Sequence, residues 1–180
     1  MIEKFKKSLL VVAVMFGLFA VLTMFFPAIS VDLEDVFDVE IAYGTSGFDA
    51  AFGLELEFQG ETYEFLEFSF LNFMAYLLPI VAIALACIVE KKQDKRFYYA
   101  AIGCFALSAL LFFLSPTLLQ YGEKTFKKVL EDYISLGAGA IIGGISCILA
   151  GLCMWSYLVN EGKERGKEVV AQEKNEEKDR

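Results

Sequence analysis

Between positions 31 and 70 the chain carries eleven carboxylates and not one Lys or Arg: Asp32, Glu34, Asp35, Asp38, Glu40, Asp49, Glu55, Glu57, Glu61, Glu64 and Glu67. Acids at this density raise two chemistries, divalent-cation binding and acid–base catalysis. The densest part is DLEDVFDVE, starting at Asp32. An EF-hand loop needs a glycine at its sixth position for the sharp turn, and the sixth residue from Asp32 is Phe37. That spacing fails. Catalysis needs a carboxylate pair in a cleft, or a nucleophile beside a base. With no His in the chain, the commonest general base and the commonest transition-metal ligand are both missing. No Ser-His-Asp set or phosphate loop can be assembled. The four cysteines, Cys87, Cys104, Cys147 and Cys153, each fall inside an apolar run. There they read as small buried hydrophobes, not as a zinc site or a disulfide framework. The sequence therefore predicts no catalytic residue, no metal ligand, no cofactor and no enzyme.

The elements that carry these acids are set by lipid. Of the 180 residues 57% are hydrophobic, above the ~45–50% of a soluble domain. Four uncharged runs, 8–28, 69–89, 97–114 and 135–159, approach or exceed the roughly 20 residues a helix needs to cross a bilayer. The third is the shortest, and Pro116-Thr-Leu-Leu extends it at the interface. The opening MIEKFKKSLLVVAVMF also resembles a signal peptide, with a small-x-small site at Ala28-Ile-Ser30. Its apolar run exceeds the ~7–15 residues of a signal core, so a retained anchor is expected. Basic residues cluster before the first span (Lys4, Lys6, Lys7), between the second and third (Lys91, Lys92, Lys95, Arg96) and after the fourth (Lys163, Arg165, Lys167). The positive-inside rule then places both termini in the cytoplasm of a multi-pass cell-membrane protein. Trp155, Tyr157, Tyr98 and Tyr99 fall near the inner interface.

The chain divides accordingly. A cytoplasmic start and first span (1–28) lead to an acidic β-rich outer loop (29–68), then the second span (69–89). A basic turn (90–96), the third span (97–114) and a second outer loop with a helical extension (115–134) follow. The fourth span (135–159) and a charged tail (160–180) complete it. The acidic loop needs no active site to explain it. Lys and Arg resist export while acids contribute little to orientation, and carboxylates keep a sheet-bearing loop soluble. Within the loop, Phe37, Val39, Ile41 and Tyr43 alternate with Asp38, Glu40 and Ala42, and Leu54, Leu56 and Phe58 with Glu55, Glu57 and Gln59, the period of half-buried strands. Gln59-Gly60 offers a hairpin turn. The sequence predicts one small antiparallel sheet of two to four strands, its apolar face on the outer helix ends. In the second outer loop Phe126, Val129, Leu130 and Tyr133 recur at helical spacing, so the fourth helix is expected to reach about Thr125. Its polar face carries Lys124, Lys127 and Lys128, the expected docking partners of the acidic sheet.

Within the fourth span, GAGAIIGGISCILAG places Gly139 and Gly143 in a GxxxG pattern continued by Ser146, Cys147 and Ala150. Small residues let helix backbones approach in lipid, where little else draws helices together. Gly139, Gly143 and Ala150 are thus expected helix-packing residues, within the bundle or at a homodimer face. Pro79 predicts a kink in the second span. The few polar span residues, Thr23, Asn72, Tyr76, Ser108 and Ser146, include no acid or base, which weakens an ion-path reading.

Four helices, internal termini and a large β-bearing first outer loop resemble the claudin-type tetraspan layout, in topology only. The loop has no Trp and no Cys, so neither a junction role nor any residue carries over. The expected fold is an α-helical membrane protein, a four-helix bundle with a small extracytoplasmic antiparallel sheet. The expected function is a non-enzymatic scaffold or accessory protein binding another membrane protein or its own copies. Alternatives are a transporter or channel component acting as an oligomer, and an envelope sensor. Apart from that partner, the lipid bilayer is the expected contact. A pI near 4.7 argues against nucleic acid as a partner, which demands a basic face.

Overall fold

A computed structural model of the chain describes residues 2–32, 42–58, 61–92, 94–122 and 134–178. Its helices, in chain order, are α1 (Ile2–Leu22), the short α2 (Gly47–Phe52), α3 (Phe70–Lys92), α4 (Lys95–Phe113) and α5 (Ala138–Lys178). All but α2 are long and apolar enough to cross a membrane, over Lys7–Phe25, Phe70–Ile88, Lys95–Phe113 and Ala138–Gly162. This is the build of a multi-pass membrane protein. A helix bonds its own backbone, which is why apolar runs of this length become helices in lipid.

In the bundle α5 packs against α1 and α4, and α3 against α4 and α1. Small residues line the seams. Ala13, Ala20, Ala75, Ala82, Ala86, Ala101, Ala140 and Ala150 are buried, and between them lie the larger Tyr98, Phe105, Phe112 and Met154. Gly17 shows how close the backbones come: a Cβ added there would lie 2.9 Å from Ile83 Cγ1 and 3.1 Å from Phe105 Cε1. The outward faces, with Val11, Met15, Leu18 and Phe19 on α1 and Ile145, Ile148, Leu149 and Leu152 on α5, stay exposed, as lipid permits.

Among the described residues, two three-stranded antiparallel sheets sit at one end of the bundle. The first has the order β2-β1-β6, from β1 (Pro27–Asp32), β2 (Ala42–Ser46) and β6 (Ile134–Leu136). The second has the order β3-β4-β5, from β3 (Leu54–Phe58), β4 (Glu61–Glu67) and β5 (Gln120–Tyr121). The β3–β4 pairing runs to Phe58 opposite Glu61; Gln59 and Gly60, the expected turn, lie outside the described residues.

The single sheet expected from the first loop is therefore two. Each takes its third strand from the second loop, with Ser30 opposite Ser135 and Leu66 opposite Tyr121. Pairing closes edges that β1 and β4 would otherwise leave open. The outward continuation of the fourth span is also corrected, because residues 134–136 are strand and α5 begins at Ala138. Gly137 marks the switch. Its N–H donates to the Ala28 carbonyl at 2.8 Å, and a Cβ there would collide with the Pro27 carbonyl oxygen. The helical spacing over 126–133 falls outside the described residues.

Candidate functional site

The sheets join the bundle through α2. Ser46 caps it, accepting from the Asp49 N–H at 3.2 Å and donating to Asp49 Oδ2 at 2.7 Å, as Ser does at helix starts. Gly53 ends it at φ +101°, a backbone conformation that suits glycine. The small face of α2, Gly47, Ala50 and Ala51, is buried. Hydrogen bonds hold it down at both ends. The Gly47 N–H donates to the Phe26 carbonyl at 3.1 Å, and the Ser69 N–H to the Ala51 carbonyl at 3.0 Å.

Ser69 and Asn72 extend this joint to the turn after α4. Ser69 Oγ donates to the Leu118 carbonyl at 2.7 Å, and Asn72 Nδ2 lies 3.4 Å from both the Ala50 and the Ser115 carbonyls. One turn further in, the Tyr76 ring meets Phe112 edge-on, centroids 4.9 Å apart. Its hydroxyl abuts Gly47, where an added Cβ would run into it. Asn72 Oδ1 and Tyr76 Oη are buried and have no hydrogen-bond partner among the described residues. The polar atoms here fasten three segments to one another: α2, α3 and the turn after α4.

A second polar node lies deeper. Pro79 lacks the N–H that would bond the Ala75 carbonyl four residues back. Ser108 Oγ, from α4, donates to that carbonyl at 2.6 Å and lies 3.4 Å from Cys147 Sγ of α5. A neighbouring hydroxyl thus replaces the missing backbone donor, one route by which proline is tolerated in a membrane helix. The sequence marked both Pro79 and Ser108 as unusual span residues, but only the three-dimensional pairing connects them.

Gly139, Gly143 and Ala150 all face the chain's own interior. A Cβ at Gly139 would lie 2.9 Å from the Pro27 carbonyl oxygen and 3.0 Å from Phe26 Cβ. At Gly143 it would lie 2.7 Å from Thr23 Oγ1 and 2.9 Å from Phe112 Cε1. Ala150 and Cys147 are fully buried. Lys124, Lys127 and Lys128, the expected docking residues, lie outside the described residues. At the opposite end of the bundle, Tyr98 is buried and stacks on Tyr157 at 5.4 Å. Tyr98 is thus a core residue, while Tyr99 and Trp155 remain exposed.

Of the acids, Glu55, Glu64 and Glu67 are exposed on the second sheet and Asp49 is half-buried in its cap. Glu55 and Glu64 stand directly opposite each other across β3 and β4. Among the described residues, no three acids or cysteines gather closely enough to hold a metal ion. Chemically, the arrangement offers an acidic surface fastened to a membrane bundle. No known protein family and no curated protein matches the chain.

Proposed function

We propose that this chain is a non-enzymatic membrane scaffold or accessory protein that presents an acidic two-sheet module to a protein partner or to a second copy of itself. One observation carries the reading: each sheet is completed by a strand from the other loop, and α2 pins the module to the helix ends. A surface tied down this way is preorganised, which lowers the ordering cost of binding. The basic clusters around residues 4–7, 91–96 and 163–167 support an orientation with the module outside and both termini in the cytoplasm. The transport reading has less support, because the four apolar runs 8–28, 69–89, 97–114 and 135–159 hold no acid or base.

A photo-crosslinking residue at Thr62, exposed on β4, tests the reading in native membranes. One dominant adduct, with a single protein or with the chain itself, is expected at Thr62 and not at the exposed helix position Leu107. Equal, diffuse adducts at both positions would overturn it. Single cysteines at Thr62 and Gln93, in a background without the native four, test the orientation. Only Thr62 should react with an impermeant thiol reagent outside intact cells.

A further inference from the structure

The outer face of α2 is aromatic. Phe48 and Phe52, one turn apart, point away from the buried Gly47–Ala50–Ala51 face and are 46% and 43% exposed. Their rings begin a chain: Phe48 to Phe52 at 4.6 Å, Phe52 to Phe73 at 5.5 Å, and Phe68 to Phe73 at 6.0 Å. Phe68 is exposed too, as are Phe70 and Leu71 on the first turn of α3. Water-facing surfaces rarely carry contiguous apolar patches of this kind.

The hydrogen bonds fix the depth of this patch. Gly47 is bonded to Phe26, one residue beyond the first apolar span, and Ala51 to Ser69, one residue before the second. The Ala50 carbonyl takes the side chain of Asn72, already inside that second span. Tyr76, deeper still, reaches Gly47. α2 therefore lies at the boundary level of the spans, with its aromatic face turned away from the bundle.

We propose that Phe48, Phe52 and Phe68 insert into the acyl chains of the leaflet on the module's side, making α2 a lipid-facing anchor that seats the acidic sheets on the membrane. Phenylalanine has neither the hydroxyl nor the indole N–H that holds Tyr and Trp among headgroups, so its place is the hydrocarbon. The insertion is apolar. The neighbouring exposed groups, Glu55, Glu64 and Glu67, are acidic and offer anionic headgroups no attraction. Phe73 of α3 touches both Phe52 and Phe68 and lies one turn from the exposed Phe70, so lipid on the flank of α3 reaches this patch.

Trp155 is the only tryptophan in the chain, so a Trp155→Phe background gives a silent reporter frame. Phe52→Trp in that background is reconstituted into phosphatidylcholine vesicles whose acyl chains are brominated near the headgroup. Emission should fall about twofold relative to unbrominated vesicles, as for a group buried roughly 5–10 Å into the headgroup–acyl boundary. It should resist aqueous iodide and stay unchanged between low and high salt. Phe48→Trp, whose ring touches Phe52, gives a second reading should Phe52→Trp misfold. Thr62→Trp, exposed on β4, should show the reverse, with iodide quenching and no bromine quenching. Iodide quenching of both Phe variants would overturn the proposal. So would protection from both quenchers that grows with the protein-to-lipid ratio, which would assign the patch to a second copy.

Discussion

Ser108 donates its hydroxyl to the Ala75 carbonyl at 2.6 Å, the carbonyl that Pro79 deprives of its helical donor. The proline-bearing helix and its neighbour are thereby coupled through one hydrogen bond. Ser108→Ala should leave a buried carbonyl unpaired and cost about 1–2 kcal/mol. Pro79→Ala returns the backbone N–H, so in that background Ser108→Ala should cost far less. Thermal melts of the four proteins in detergent form the double-mutant cycle, and strict additivity would separate the two residues.

How much of this was legible beforehand depends on the range of the interaction. The spans are local, uninterrupted apolar runs, and the structure places four long apolar helices over them. The β3–β4 hairpin is equally local, since period-two alternation on either side of Gln59-Gly60 specifies it. The third strands were not legible. Gln120–Tyr121 and Ile134–Leu136 are too short to show a period, and their pairing with β4 and β1 is a property of the assembled bundle end. The Phe26–Gly47 and Ser69–Ala51 backbone bonds likewise leave no side-chain signature.

The joint between α2 and α3 makes its own forecast. Gly47→Ala places a Cβ against the Tyr76 hydroxyl and 3.1 Å from Met24 Cα, an overpacking that should cost about 1–3 kcal/mol. Tyr76→Phe removes a hydroxyl that has no hydrogen-bond partner among the described residues. It should therefore be close to neutral, within about 0.5 kcal/mol, or stabilising. The double variant should recover part of the Gly47→Ala loss, though Tyr76 Cζ, at 2.7 Å, still crowds the new methyl. Denaturation midpoints in a single detergent check all three.

Ser46 offers a simpler test. Its side chain accepts the Asp49 N–H at 3.2 Å, so Ser46→Ala should destabilise α2 by roughly 1 kcal/mol. Ser46→Asp should retain most of the cap. The loss should appear as faster amide exchange across Gly47–Phe52, with little change in the middle of α3. Uniform acceleration throughout the bundle would mean that the cap acts on the whole fold.

In α5 the contrast lies between neighbouring positions. Gly143 faces Thr23 and Phe112, whereas Ile142 is 41% exposed on the lipid side. Gly143→Leu should force α1 and α4 away from α5 and lower the melting temperature sharply, while Ile142→Leu should leave it nearly unchanged. The oligomeric state should not differ between them, because the crowded atoms belong to the same chain. Loss of a dimer with an unaltered melting temperature would move the small-residue stripe to an interface between copies.

The opposed carboxylates of Glu55 and Glu64 separate mere solubility from cation binding. Like charges directly across an antiparallel pair destabilise it, and opposite charges there contribute roughly 0.2–1 kcal/mol. Glu64→Gln should therefore stabilise the hairpin slightly and Glu64→Lys more. Glu67→Lys should do little, since Glu67 faces the uncharged Gln120. All these differences should shrink at 1 M salt, where the Debye length is about 3 Å. If the pair served a divalent cation, calcium would raise the melting temperature of the wild-type chain beyond an equal ionic strength of sodium, and Glu64→Gln would abolish that rise. Two opposed acids do not make a calcium site, which takes at least six oxygens, so the expected result is a salt effect common to both ions.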